Sequence, residues 1–126
     1  MHVIVVEPEK PPCIKEIPAG LASLQQEVCG YIQALYPWVE PCAILCDEEA
    51  KLKGSPLNRA LRDEDGDIYD IIAGTFLIVG LGEENFSSLD DAHIERFKEM
   101  FAVPEMFVRI NGRIVVLPMD AADQPF

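Results

Sequence analysis

Between Ile71 and Gly82 the chain runs for 12 residues without a charge, although it carries 22 acidic and 10 basic side chains in all. Such a stretch is stable only when removed from water, and Ile71, Ile72, Thr75, Phe76, Ile78 and Val79 favour strand over helix. Gly74 interrupts the run, so two strands are predicted, Ile68 to Ile72 and Thr75 to Val79, with a bend, bulge or close backbone approach between them. As the most apolar segment, this pair should be central to the sheet. A bilayer-spanning helix needs about 20 apolar residues, so the run is read as a core element and no membrane contact is expected.

The flanks supply the rest of an α+β order. His2 to Glu7 and Cys13 to Ile17 are β-branched runs on either side of a Glu-Lys-Pro-Pro connection and read as a hairpin-like pair. Leu21, Leu24 and Val28 recur at helical spacing, and Gly30 sits where that helix would stop. Tyr31 to Tyr36 and Ala43 to Cys46 read as strands broken by Pro37 and Pro41, an opening that permits a grasp-like or a split α+β sheet. Asp47 to Gly54 is a charged turn, and Pro56 to Arg62, with weak periodicity, reads as loop or one helical turn. Asp63-Glu64-Asp65-Gly66-Asp67 is a turn, because Asp-Gly is favoured where φ must be positive. Ser88, Asp90 and Asp91 mark the start of a second helix, with Ile94, Phe97 and Phe101 on one face and Pro104 at its end. Asn111-Gly112, between Met106 to Ile110 and Arg113 to Leu117, is the clearest hairpin signal, since it supplies a type I′ turn that matches strand twist. Residues after Pro118 are expected to fray.

A length of 126 residues suits one domain, with a core large enough to need no metal or disulfide staple. The fold class is therefore α+β: a single domain, residues 1–126, with a mixed, mainly antiparallel sheet, two principal helices and a C-terminal β-hairpin.

Charge narrows the function. A net charge of −12 repels phosphate, and the basic residues form no stripe, so no direct nucleic acid binding is expected. Four apolar residues without a basic start precede Glu7, too few for an export signal. The expected location is cytoplasmic, with the four cysteines as thiols. Their spacing contains no C-x-x-C pair, which leaves zinc unsupported, and no cofactor is expected.

Three constellations are candidates for chemistry. Asp63, Asp65, Asp67 and Asp70 can present alternate carboxylates around a tight turn to a hard cation, or supply a carboxylate pair for hydrolysis. Counted from Asp63, however, a calcium loop would need glycine and glutamate where Ile68 and Gly74 stand, and a solvated turn is the plainer reading. Asn58, Arg59 and Arg62 can hold a carboxylate or phosphate in fork geometry, against the plainer reading that they pair with Asp63, Asp65 or Asp70. Gly80-Leu81-Gly82 lacks the third glycine of a dinucleotide loop, Asn85 standing there, and reads as a strand end. His2 and His93 stand beside no evident nucleophile, and Cys29 and Cys46 lie among apolar residues as inert thiols do. The acidic surplus is a fourth feature: residues 1–46 carry 5 acids and 2 bases, the rest 17 and 8. An acidic face can bind a basic partner by electrostatic complementarity or mimic a phosphate backbone; ordinary solubility is the plainer reading.

Leu24-Gln25-Gln26-Glu27-Val28 with Gly30-Tyr31-Ile32, Pro56-Leu57-Asn58-Arg59-Ala60-Leu61, and Asp70 to Gly80 with its Gly74-Thr75-Phe76 centre together resemble a family of small domains. It is catalogued as domain of unknown function three-eight-four-six. The resemblance runs from Val3 to about Pro118 and implies a bacterial or phage source, typically a mobile element, and a cytoplasmic setting. It implies no activity and transfers no catalytic residue. The resulting expectation is a non-enzymatic accessory protein whose partner is another protein met through an acidic surface. The alternatives are a metal-dependent or carboxylate-using enzyme at Asp63 to Asp70, or a small anion-binding domain at Asn58, Arg59 and Arg62.

Overall fold

The computed structural model describes residues 1–119. In chain order its elements are β1 (His2–Val6), β2 (Cys13–Glu16), α1 (Leu21–Val28), β3 (Ile32–Leu35), β4 (Cys42–Asp47), β5 (Leu57–Arg62) and β6 (Ile68–Ala73). They continue with β7 (Phe76–Leu81), β8 (Phe86–Ser87), α2 (Asp91–Met100), β9 (Glu105–Ile110) and β10 (Arg113–Pro118). A six-stranded sheet has the order β2-β1-β7-β4-β3 with β8 beside β7, while β5-β6 and β9-β10 are separate two-stranded sheets. Every strand pairing among the described residues is antiparallel. The frayed end expected after Pro118 falls, from Asp120 onward, outside the described residues.

Strand alternation sends successive apolar residues of the large sheet to two different cores. Ile4, Val6, Cys42, Ile44, Phe76 and Ile78 face α2 and the β5-β6 hairpin, meeting Ile94, Phe97, Leu61 and Ile72. Val3, Val5, Ala43, Leu45, Leu77 and Val79 face the other way, toward Leu24 and Val28 of α1. Covered on both faces, β1, β4 and β7 therefore read as continuous apolar runs rather than alternating ones. No helix is long and apolar enough to cross a membrane among the described residues.

The structure corrects the expected centre of the sheet. Strand β7 is central, between β1 and β4, but β6 is not, because Gly74 with φ 74° turns the chain so that β6 pairs with β5. It also corrects Pro56 to Arg62, which forms β5 and not a loop or helical turn. Two register shifts along the β5-β6 ladder leave Asn58, Arg59, Ala60 and Leu61 buried in succession, which erases the period-2 signature of a strand.

Both helices form where expected. In α1 the left-handed residue is Cys29, φ 61°, rather than Gly30. Gly30 is needed for space instead, since a Cβ there would lie 2.5 Å from the Asp47 carboxylate carbon. Helix α2 is capped by Asp90, whose carboxylate accepts the His93 N–H at 2.9 Å. At the far hairpin Asn111 and Gly112 have φ of 51° and 77°, as a type I′ turn requires.

Candidate binding cleft

A cleft of about 1060 Å³ opens between the C-terminal end of α2, the β5-β6 hairpin, the Pro37–Glu40 connection and the base of the β9-β10 hairpin. It is assembled on a polar pin inside the protein. Asn58 and Arg59 are 0% and 1% exposed. The Asn58 amide donates to Val6 O and to Gly74 O, both at 2.8 Å, fastening β5 to the end of β1 and to the Gly74 turn. Arg59 Nη1 donates to Asn58 Oδ1 at 2.9 Å and to Asn58 O at 3.3 Å. Its Nη2 donates to Lys10 O at 2.7 Å and Phe101 O at 3.0 Å, and Nε also reaches Phe101 O at 3.4 Å. Five bonds thus use the five N–H groups of the guanidinium, and the carbonyl of Phe101, the C-cap of α2, gains a cationic partner. Burial draws the Arg59 guanidinium below its ordinary value, and the nearby Glu105 carboxylate opposes that shift. Arginine stays charged at neutral pH nonetheless.

The partners anticipated for these residues were the turn carboxylates, and the structure supplies others. Arg59 bonds to carbonyls and an amide, and Arg62 Nη2 lies 2.7 Å from Glu105 Oε2. Glu105 Oε1 meanwhile accepts the Ala60 N–H at 2.9 Å, so one carboxylate ties β5 to the first residue of β9. Asn58 and Arg59 face inward, while Arg62 stands at the cleft wall.

Asp63, Asp65 and Asp67 converge, with one oxygen from each lying within 4.8 Å of the others, all on exposed side chains. Asp63 Oδ1 already accepts the Asp65 and Asp67 N–H groups at 2.9 and 3.0 Å, which holds the turn closed. Asp70 does not join them. It accepts the Ile71 N–H at 2.8 Å and Lys51 Nζ at 3.2 Å.

The cleft surface combines apolar groups with carboxylates. Val39 is 101% exposed, and Tyr69 and Met100 are 55% and 45% exposed. Asp63, Glu64 and Asp65 line the same space, all exposed. On the α2 side Arg96 Nη1 stands 2.8 Å from Glu40 Oε2, an enclosed oxygen on which no donor is aligned among the described residues, so the pair is held by charge. The Arg96 guanidinium also stands 5.5 Å from the Phe97 ring centre, and Phe97 packs on Trp38 with ring centres 4.2 Å apart and planes tilted by 33°. Val39, Tyr69 and Met100 were not singled out in the sequence, because exposure of an apolar residue is a tertiary property.

Fold and cleft together define a small α+β domain with a wide, acidic and partly apolar concavity. Residues 1–102 match the family model described as Domain of unknown function (DUF3846), and the chain belongs to that family. The match ends within the turn after α2, so the β9-β10 hairpin lies beyond it. No curated protein and no solved structure matches the chain.

Proposed function

We propose that this chain is a non-enzymatic binding module that holds another protein through its acidic surface, with the cleft as the contact. The observation that carries this reading is the juxtaposition of exposed Val39, Tyr69 and Met100 with the exposed carboxylates of Asp63, Glu64 and Asp65. Apolar side chains left in water across one concave surface mark an interaction site, and exposed carboxylates beside them favour a basic partner, since the cleft arginines Arg62 and Arg96 are already paired with Glu105 and Glu40. The fitting partner is a protein segment in which lysine or arginine alternates with apolar residues. The setting proposed with it, which the family resemblance supports, is the cytoplasm of a bacterium that carries a mobile element.

Peptide display against the full chain tests the reading. Selected sequences should be rich in lysine and arginine beside apolar residues, bind more weakly as salt rises, and lose affinity to a Glu64→Gln, Asp65→Asn variant. Selection without a basic bias, or binding indifferent to both salt and those substitutions, would refute it. Cation chemistry at Asp63, Asp65 and Asp67 is a second reading, favoured by the convergence of their oxygens. Titration with calcium or magnesium that leaves the heat signal and thermal midpoint unmoved would remove it.

A further inference from the structure

We propose that the outer edge of β10 is a homodimer interface, at which β10 of one copy pairs antiparallel with β10 of a second copy, centred on Val115. The starting observation is a hairpin without a core. Met106, Phe107, Val108, Ile110, Ile114, Val115, Val116 and Leu117 are apolar, yet no residue of β9 or β10 is buried. An isolated two-stranded hairpin is marginal in water. Here β5 lies beside β9, whereas β10 has β9 as its one strand partner among the described residues.

The backbone pattern says which groups on that edge are open. Ile110 and Arg113 flank a two-residue type I′ turn and are therefore a hydrogen-bonded pair, and the register continues through Val108 with Val115 and Met106 with Leu117. The bond from Met119 N to Pro104 O at 2.9 Å falls on the same alternation and confirms it. The N–H and C=O groups of Ile114 and Val116 consequently point away from β9. Pro118 occupies the next outward position, where it has no N–H to offer, so pairing stops there and the register is limited to the segment around Val115.

That edge is self-complementary. A two-fold axis through Val115 sets Ile114 opposite Val116 of the second copy, and the two residues exchange N–H···O bonds at both ends of the axis. Arg113 then lies opposite Leu117, and no row across the resulting four strands holds two like charges. Charge permits a second copy at this place, where repulsion between acidic surfaces is least. Two molecules of net charge −12 repel over most of their surfaces, but the hairpin carries one carboxylate, Glu105, already paired with Arg62, together with Arg109 and Arg113. The outer strands of the large sheet are protected by contrast: β2 and β3 are four residues each, with Pro11, Pro12 and Pro18 around β2 and Pro37 after β3.

Light scattering on the full chain should give twice the 14.0 kDa chain mass. Val116→Pro removes an outward N–H and no bond of the hairpin, and should return the mass to one chain while the circular dichroism spectrum is kept. In a Cys13→Ser, Cys29→Ser background, Val115→Cys should oxidise to a covalent dimer, since the two residues face each other at a non-hydrogen-bonded site about 4.5 Å apart. Val108→Cys, separated from its counterpart by about three strand spacings, should not cross-link. A wild-type chain that stays monomeric at its highest soluble concentration overturns the proposal. So does a dimer that survives Val116→Pro with the hairpin intact, or cross-linking equal at positions 108 and 115.

Discussion

Arg59→Met preserves side-chain length and removes every N–H donor from the centre of the polar pin. The Lys10 carbonyl, the Phe101 carbonyl and Asn58 Oδ1 lose bonds of 2.7, 3.0 and 2.9 Å, and the weaker 3.3 and 3.4 Å contacts go with them. A buried acceptor left without its donor costs about 1–3 kcal/mol. Taking the low end for each of the three well-formed bonds, because methionine no longer carries a desolvated charge, gives a loss of about 3 kcal/mol. Against a typical domain stability of roughly 5–15 kcal/mol this is a large fraction. In urea, with a slope of about 1.5 kcal/mol/M, the midpoint should fall by about 2 M. Trp38 is the sole tryptophan and packs against Phe97 beside the pin, so its fluorescence reports the transition directly. Arg59→Lys should lose nearly as much, because a compact ammonium cannot span acceptors that a planar fork reaches. Arg62→Met, which removes a partly exposed ion pair while the Ala60 N–H still holds Glu105, should cost less than Arg59→Met. If Arg59→Met left stability within about 1 kcal/mol of wild type, the pin would not organise the fold.

Three further outcomes follow from the packing. Gly80→Ala would place a Cβ against the Ser88 carbonyl oxygen on the central strand, and should destabilise by about 3 kcal/mol; a thermal midpoint near that of wild type would contradict the crowding. Cys13 and Cys29 are exposed, which corrects the inert reading of Cys29, whereas Cys42 and Cys46 are buried, and burial pushes the Cys46 thiol up to about 11. A chromogenic disulfide reagent should therefore titrate two thiols rapidly and two only on unfolding, and four rapid equivalents would refute this assignment. Lys53 Nζ at 2.7 Å, helped by the Glu49 N–H, holds the Asp47 carboxyl below its ordinary value. A depressed carboxylate stabilises above its unfolded value of about 3.9 and ceases to do so as pH falls through the folded one. The stability gap between wild type and Asp47→Asn should close on that acid side, and a gap constant through acid pH would count against it.

Elements with a complete local signal were legible from the sequence. The type I′ turn at Asn111-Gly112, the face of Ile94, Phe97 and Phe101, and the apolar run of β7 each state their structure within a few residues. Strand β5 did not, because its interior positions are filled by asparagine and arginine and its ladder is bulged. The same two residues, read by type, looked like an anion fork, and only the distant carbonyls of Val6, Lys10, Gly74 and Phe101 give them internal partners. The acidic turn was visible because its three convergent carboxylates are neighbours in sequence, whereas Asp70 lies within β6 and turns to Lys51. The cleft was hidden for the opposite reason. Its walls come from segments far apart in the chain, near Val39, Arg62, Met100 and Pro118, and no local pattern announces their meeting.

The Asn58 amide, on β5, bridges two carbonyls outside its own strand, one at the end of β1 and one at the turn between β6 and β7. A wall of the cleft is thereby riveted to the buried six-stranded sheet, without a hinge of its own at that point. A partner docking there would meet a shape already set, lose little entropy to ordering the receptor, and be discriminated by fit more than by the receptor's capacity to adapt.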